Sequence, residues 1–175
     1  MKTALLFLIA ILVSFASLAN TDSIPADKKD VSSIDGILTA LYDVISGPAG
    51  QKRNWDRMRT LFTPQARLIP TNRRADGSTG MKVMNVEEYI NSSGPFLEKN
   101  GFFEKEISRK TEQYGRIVQV FSTYEARRTT ADEKPFMRGI NSIQLWYDGT
   151  RWWVVTIFWE AETPGNPIPE KYLKQ

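Results

Sequence analysis

Two long β-patterned segments, Met137 to Tyr147 and Arg151 to Ala161, flank an Asp148-Gly149 pair near the C-terminus and bring together four of the chain's five tryptophans. Their Val, Ile, Trp, Tyr and Phe residues suit a pleated, buried surface. Asp-Gly supplies the positive φ angles that a tight hairpin turn needs. The spacing therefore predicts an antiparallel hairpin whose apolar side must be covered. Phe102 to Tyr114 and Arg116 to Arg128 read as two further strands, which makes the C-terminal half a four-stranded antiparallel meander.

The N-terminal half reads as helices. Ser32 with Asp35 resembles a capping box, and Ile34, Ile37, Leu38, Leu41, Tyr42 and Ile45 recur at helical spacing until Gly47-Pro48. Asn54 reads as the N-cap of a second helix with Trp55, Met58, Leu61 and Phe62 on one face, ending at Thr63-Pro64. Ala66 to Pro70 and Met81 to Met84 are extended pieces around a polar loop. Asn85 with Glu88 opens a third helix that Gly94-Pro95 interrupts and Phe96-Leu97 resumes. Helices followed by a meander predict an α+β domain over residues 32–162. Residues 20–31 read as a flexible leader without structure of its own, and 163–175, with Pro167 and Pro169, as a tail along the surface.

At the extreme N-terminus Met1-Lys2 precedes an apolar run from Ala4 to Ala16 and then Ser17-Leu18-Ala19. This is the pattern of a secretory signal over residues 1–19, too short in its apolar part for a spanning helix. The expected location is periplasmic or secreted, with no stable membrane anchor after cleavage. The chain of 175 residues has no Cys, so an exported domain would be held by its core alone. Its net charge of +3 comes from interspersed acidic and basic residues, which gives no reason to expect a nucleic-acid partner. Without His, Cys, an Asp/Glu cluster of suitable spacing or a phosphate-loop motif, no metal or cofactor is expected.

Period-two alternation sorts the strands into faces. One face holds Val118, Val120, Ser122 and Tyr124, then Asn141, Ile143 and Leu145, then Trp153, Val155, Ile157 and Trp159, and is assigned to the helices. Ser122, Tyr124 and Asn141 are polar groups on an apolar face, and such groups need partners. Converging at one end of a concave sheet, they would give a largely apolar pocket with a few polar contacts, the usual make-up of a small-molecule site. The opposite face carries Phe121, Ile140, Trp146, Trp152, Val154 and Phe158, too apolar for water, and predicts a homodimer packed sheet to sheet.

The order of elements and the run Tyr147-Asp148-Gly149-Thr150-Arg151-Trp152-Trp153 resemble the nuclear transport factor 2-like (NTF2-like, SnoaL-like) superfamily. The likeness covers roughly residues 32–162. Leu41 to Gly50 and Gly139 to Gln144 are similar to a group of exported bacterial members of unassigned function. The resemblance implies a cone-shaped fold, helices packed on a curved antiparallel sheet, which carries many activities and pure binding roles. Catalytic members use an Asp or His inside the cone, a Tyr with carboxylic acids, or an Asp-Arg-Asp set. No carboxylate is read on the inward strand faces here, so Asp43 and Asp56 on the helices are the nearest candidates, and no catalytic residue is carried over.

Three readings follow. The first is an exported domain binding a small apolar or aromatic molecule, with Tyr42, Trp55, Tyr124, Asn141 and Trp159 lining the pocket. The second is a cofactor-free isomerase, dehydratase or hydrolase using Tyr124 with Asp43 or Asp56. The third is a protein-interaction module whose cone is filled core.

Overall fold

Each helix begins where a short polar side chain satisfies its free backbone N–H groups. The computed structural model describes residues 24–73 and 76–174, so the expected signal sequence lies outside the described residues. Helix α1 (Lys28–Val31) starts at Asp27, α2 (Ile34–Ile45) at Ser33, α3 (Trp55–Leu61) at Asn54 and α4 (Val86–Asn100) at Asn85. At α4 the capping box is complete: the Asn85 side chain accepts the Glu88 amide and Glu88 accepts the Asn85 amide, at 2.9 and 2.8 Å. The cap of α2 is Ser33 rather than Ser32, with its hydroxyl accepting the Gly36 amide at 2.9 Å.

Part of the expected leader is structured. Asp30 of α1 is buried and accepts two bonds from Arg57, at 2.7 and 3.0 Å, which tie α1 to α3. Nor is α4 interrupted at Gly94-Pro95. Pro95 and Asn91, whose carbonyl loses its partner there, are both on the exposed side of the helix, so the lost bond is not buried.

The sheet has six strands: β1 (Phe62–Arg73), β2 (Thr79–Met81), β3 (Phe103–Tyr114), β4 (Ile117–Arg127), β5 (Met137–Tyr147) and β6 (Trp152–Ala161). Their order is β2-β1-β6-β5-β4-β3. β3 to β6 form the expected antiparallel meander, but β1 lies parallel to β6, so the sheet is mixed rather than antiparallel throughout. The main core lies between α2, α3 and the inner sheet face, where Ile37, Leu38, Leu61, Val120, Ile143 and Val154 are almost wholly buried.

Two bulges set which side chains face inward. Between β5 and β6, Gln144 pairs with Thr156 and Leu145 with Val154, leaving Val155 as an extra residue. One extra residue inverts the alternation. Trp152 and Val154 are therefore core residues, while Trp153 and Val155, expected inside, are turned out. Between β3 and β4, Ile107 is the extra residue, since Glu106 pairs with Tyr124 and Ser108 with Thr123. This places Glu104 and Glu106 on the inner face.

The hairpin turn also differs from the expectation. Only Gly149 has a positive φ, +108°, and the loop runs from Asp148 to Arg151 because Tyr147 pairs with Trp152. Asp148 Oδ1 accepts the amides of Thr150 and Arg151 at 2.7 and 2.8 Å, and its Oδ2 accepts the Trp153 indole N–H at 2.7 Å. These bonds hold its carboxyl well below the usual carboxylate range.

The tail crosses the outer sheet face instead of running free. Thr123 Oγ1 donates to the Tyr172 carbonyl at 2.7 Å, Ser108 Oγ donates to that of Lys174 at 3.0 Å, and the Tyr172 ring lies 5.3 Å from that of Phe121. Of the apolar face assigned to a partner copy, Trp152 and Val154 are thus inside the core, and the chain's own C-terminal segment overlies the part around Phe121.

Candidate functional site

Four elements bring polar side chains to one place inside an apolar wall. Tyr42 extends from α2 across the inner sheet face, where its hydroxyl meets Ser122 Oγ of β4 at 2.6 Å and accepts Asn141 Nδ2 of β5 at 3.1 Å. Asn141 Nδ2 also donates to Glu104 Oε1 of β3 at 3.4 Å. Ser122 donates to Glu106, whose other oxygen accepts Arg109 Nε at 2.6 Å. The hydroxyls form a directed chain: Asn141 donates to Tyr42, Tyr42 to Ser122, and Ser122 to a carboxylate anchored by Arg109.

Beside this network lies a cavity of about 340 Å³. Its walls are largely apolar, with Leu41, Phe62, Leu68, Phe102, Ile143 and Ile157 among them. Tyr42, Tyr89, Glu104, Tyr124 and Asn141 supply its polar side, and the exposed residues Ser92 and Phe96 mark its mouth. That size and composition fall within the range of small-molecule sites. Tyr42 and Glu104 also line a second hollow, of about 630 Å³, between α2 and β3, so they form the partition between the cavity and an outer groove.

Burial pushes the Glu104 carboxyl up to about 8, against a smaller opposing effect of the Asn141 bond. Burial first, and the nearby Glu104 second, raise the Tyr42, Tyr89 and Tyr124 hydroxyls well above the ordinary tyrosine value. At neutral pH this end of the cavity therefore holds a neutral carboxylic acid among neutral phenols.

Of the five residues singled out from the sequence, Tyr42, Tyr124, Asn141 and Trp159 line this cavity. Trp159 meets Tyr89 edge to face, with ring centroids 6.2 Å apart. Trp55 does not line it: its indole donates to Glu98 at 3.0 Å and its ring packs on Gly94 of α4, where a Cβ would come within 3.1 Å of it. Asp43 and Asp56 are exposed and paired with Arg57 and Arg59, so neither reaches the cavity. Ion pairing on the helix surface explains both.

The structure adds Glu104, Glu106 and Tyr89. Glu104 and Glu106 sit two apart at the start of β3, a period-two signal present in the sequence but lost in a strand polar on both sides. Gly139 has a local reason. It pairs with Tyr124, and a Cβ there would lie 2.5 Å from the Tyr124 hydroxyl and 2.4 Å from the Glu160 carbonyl. Among the described residues no group of three or more carboxylates is placed to hold a metal ion.

No family model matches the chain, and no curated protein is similar to it in sequence. Solved structures are similar in fold. A protein from Kribbella flavida superposes with a TM-score of 0.54 at 11% identity, over 75% of this chain and 90% of that one. An NTF2-like protein of unknown function from Silicibacter pomeroyi DSS-3 superposes with a TM-score of 0.51 at 11% identity, over 75% of this chain and 94% of that one. The chain has the NTF2-like α+β fold, with helices packed on an open, mixed six-stranded sheet.

Proposed function

We propose that this is an exported domain that binds a small, largely apolar molecule bearing one polar group. One observation carries the reading: a cavity of about 340 Å³ with apolar walls, a mouth at α4 and its polar side chains gathered around Glu104. A filled-core interaction module has no use for such a space. Export is supported by the charged start, apolar run and small residues of positions 1–19. Cell fractionation and an N-terminus at Asn20 are the results expected for it; an uncleaved chain retained in the cytoplasm counts against it.

Binding is tested by thermal unfolding of the protein against a panel of apolar carboxylic acids, sterols, amines and aromatic alcohols, because a ligand of the folded state raises the midpoint. Ser93→Trp supplies the control. Ser93 lies half-buried at the mouth, so an indole there should block entry with little change in the midpoint without ligand. A ligand shift that persists undiminished in this variant argues against the cavity.

A second reading is favoured by Glu104 itself. A carboxylic acid kept neutral beside three tyrosines can donate a proton and take it back, the requirement for a cofactor-free isomerase or dehydratase. It replaces Asp43 and Asp56 in the catalytic alternative. Conversion of a bound ligand that stops in Glu104→Gln, with binding retained, would make the enzyme reading the better one.

A further inference from the structure

The polar end of the cavity is made of oxygen. Glu104 is the only charged side chain among the described residues that line it, and its Oε1 receives one long bond, from Asn141. No described residue hydrogen-bonds Glu104 Oε2 or the hydroxyls of Tyr89 and Tyr124. Among the described residues no buried side-chain oxygen lacks a partner, so these atoms are accessible, Glu104 standing between the cavity and the outer groove and Tyr89 and Tyr124 lining the cavity. The bonds shown for Asn141 Nδ2, the one amide donor here, go to Tyr42 and Glu104.

Among the described residues no cation answers Glu104. The basic residues of the neighbouring groove are engaged elsewhere: Lys105 and Arg127 with Glu125, and Arg109 with Glu106 and Asp35. The groups facing Glu104 are the phenols of Tyr42 from α2, Tyr89 from α4 and Tyr124 from β4, and the Asn141 amide from β5. The nearby walls are aromatic, with Trp159 and Phe102 among them. A half-buried carboxyl without a described cation, accessible oxygens and aromatic rings around it match the needs of an ammonium group. Such a group carries several N–H donors, is attracted by ring faces, and supplies the missing charge.

We infer that the ligand is a small organic amine with an apolar body, its ammonium group directed at Glu104 and within reach of Tyr89 and Tyr124. This rests on the cavity being a binding site and narrows it to one class. An anionic ligand brings a charge that no described cation of the cavity answers and that would keep Glu104 from ionising, and an alcohol brings a single donor. Because the free Glu104 carboxyl is raised by burial, the ammonium group binds with loss of the Glu104 proton.

The test uses one apolar body with three heads: 2-phenylethylamine, 2-phenylethanol and phenylacetate, titrated calorimetrically into the wild-type protein. The amine should bind at least about tenfold tighter than the alcohol, with phenylacetate weakest. Repeating the amine titration in buffers of different ionisation enthalpy should show about one proton released at pH 7, and affinity should rise about tenfold from pH 6 to pH 7. Glu104→Gln should abolish both the proton release and the preference for the amine, and its unaltered far-ultraviolet dichroism would confirm that it folds. Alcohol or acid binding as tightly as the amine overturns the amine inference and leaves the cavity a binding site. If none of the three binds and no amine of the wider panel shifts the unfolding midpoint, the amine inference falls, and the other classes of that panel decide the cavity. The wild-type series decides the matter even if Glu104→Gln does not fold.

Discussion

At the scale of single residues, Glu104 links stability to pH in a direction opposite to most carboxylates. Its ordinary value of 4.5 applies to the unfolded chain, and the folded value is about 8. A value raised on folding gives a contribution that is full below about pH 4.5 and is lost as pH rises through about 8. Glu104→Gln removes the titration while keeping shape and hydrogen-bonding capacity. It should raise stability at pH 9 by about 2 kcal/mol, the order of a desolvation cost relieved, and change little at pH 4. Denaturant unfolding of both proteins at the two pH values checks this; equal effects at pH 4 and pH 9 would mean that Glu104 is not held in this environment. Arg53 shows the other way to bury charge. Its guanidinium donates to the carbonyls of Ile45, Gln51, Gly47 and Leu97 at 2.6–3.0 Å, closing the end of α2 onto α4. Gly47 has its reason there, since a Cβ would lie 2.8 Å from Arg53 Nη1.

At the scale of elements, legibility followed the range of the interaction. The caps at Asn54 and Asn85 and the helical periodicity of Ile37, Leu38 and Leu41 were readable because they are local. Tyr42, Tyr124, Asn141 and Trp159 were readable as inward because no bulge separates them from the pattern around them. Glu104 was missed, and Trp152 and Trp153 exchanged, because a bulge is a relation between two strands. The residues Ile107 and Val155 carry no mark of being unpaired. Trp153 is nonetheless tied down: its indole N–H on Asp148 closes the β5–β6 loop across five residues. Asp148→Ala takes away that bond and two backbone partners. It should cost about 1–2 kcal/mol, the range of a lost cap with charge-assisted bonds. The expected readout is a lower denaturation midpoint; a variant as stable as the wild type would mean that Gly149 alone forms the turn.

At the scale of the whole molecule, the outer sheet face has two possible occupants, and the structure shows one of them in place. Residues 163–174 cross it from β6 to β3, burying Thr123 completely and Ile168 nearly so. The cover is incomplete. Phe158 and Trp146 remain 41% exposed, and a hollow of about 280 Å³ lies between the segment and Phe121, Ile140 and Phe158. A short segment with prolines at 164, 167 and 169 that leaves such a gap leaves apolar surface that a second copy of the sheet would cover. The two arrangements therefore compete for the same surface. The expectation is that the full chain is monomeric at micromolar concentration and that removing residues 163–175 exposes enough apolar surface to drive pairing into dimers. Sedimentation velocity on both forms decides it. A dimeric full chain would show that the tail and a partner share the face, and a truncated form that stays monomeric would show that the face needs no second copy. The inner cavity opens at α4, on the other side of the sheet, so the truncated form should keep the ligand affinity of the full chain in either case.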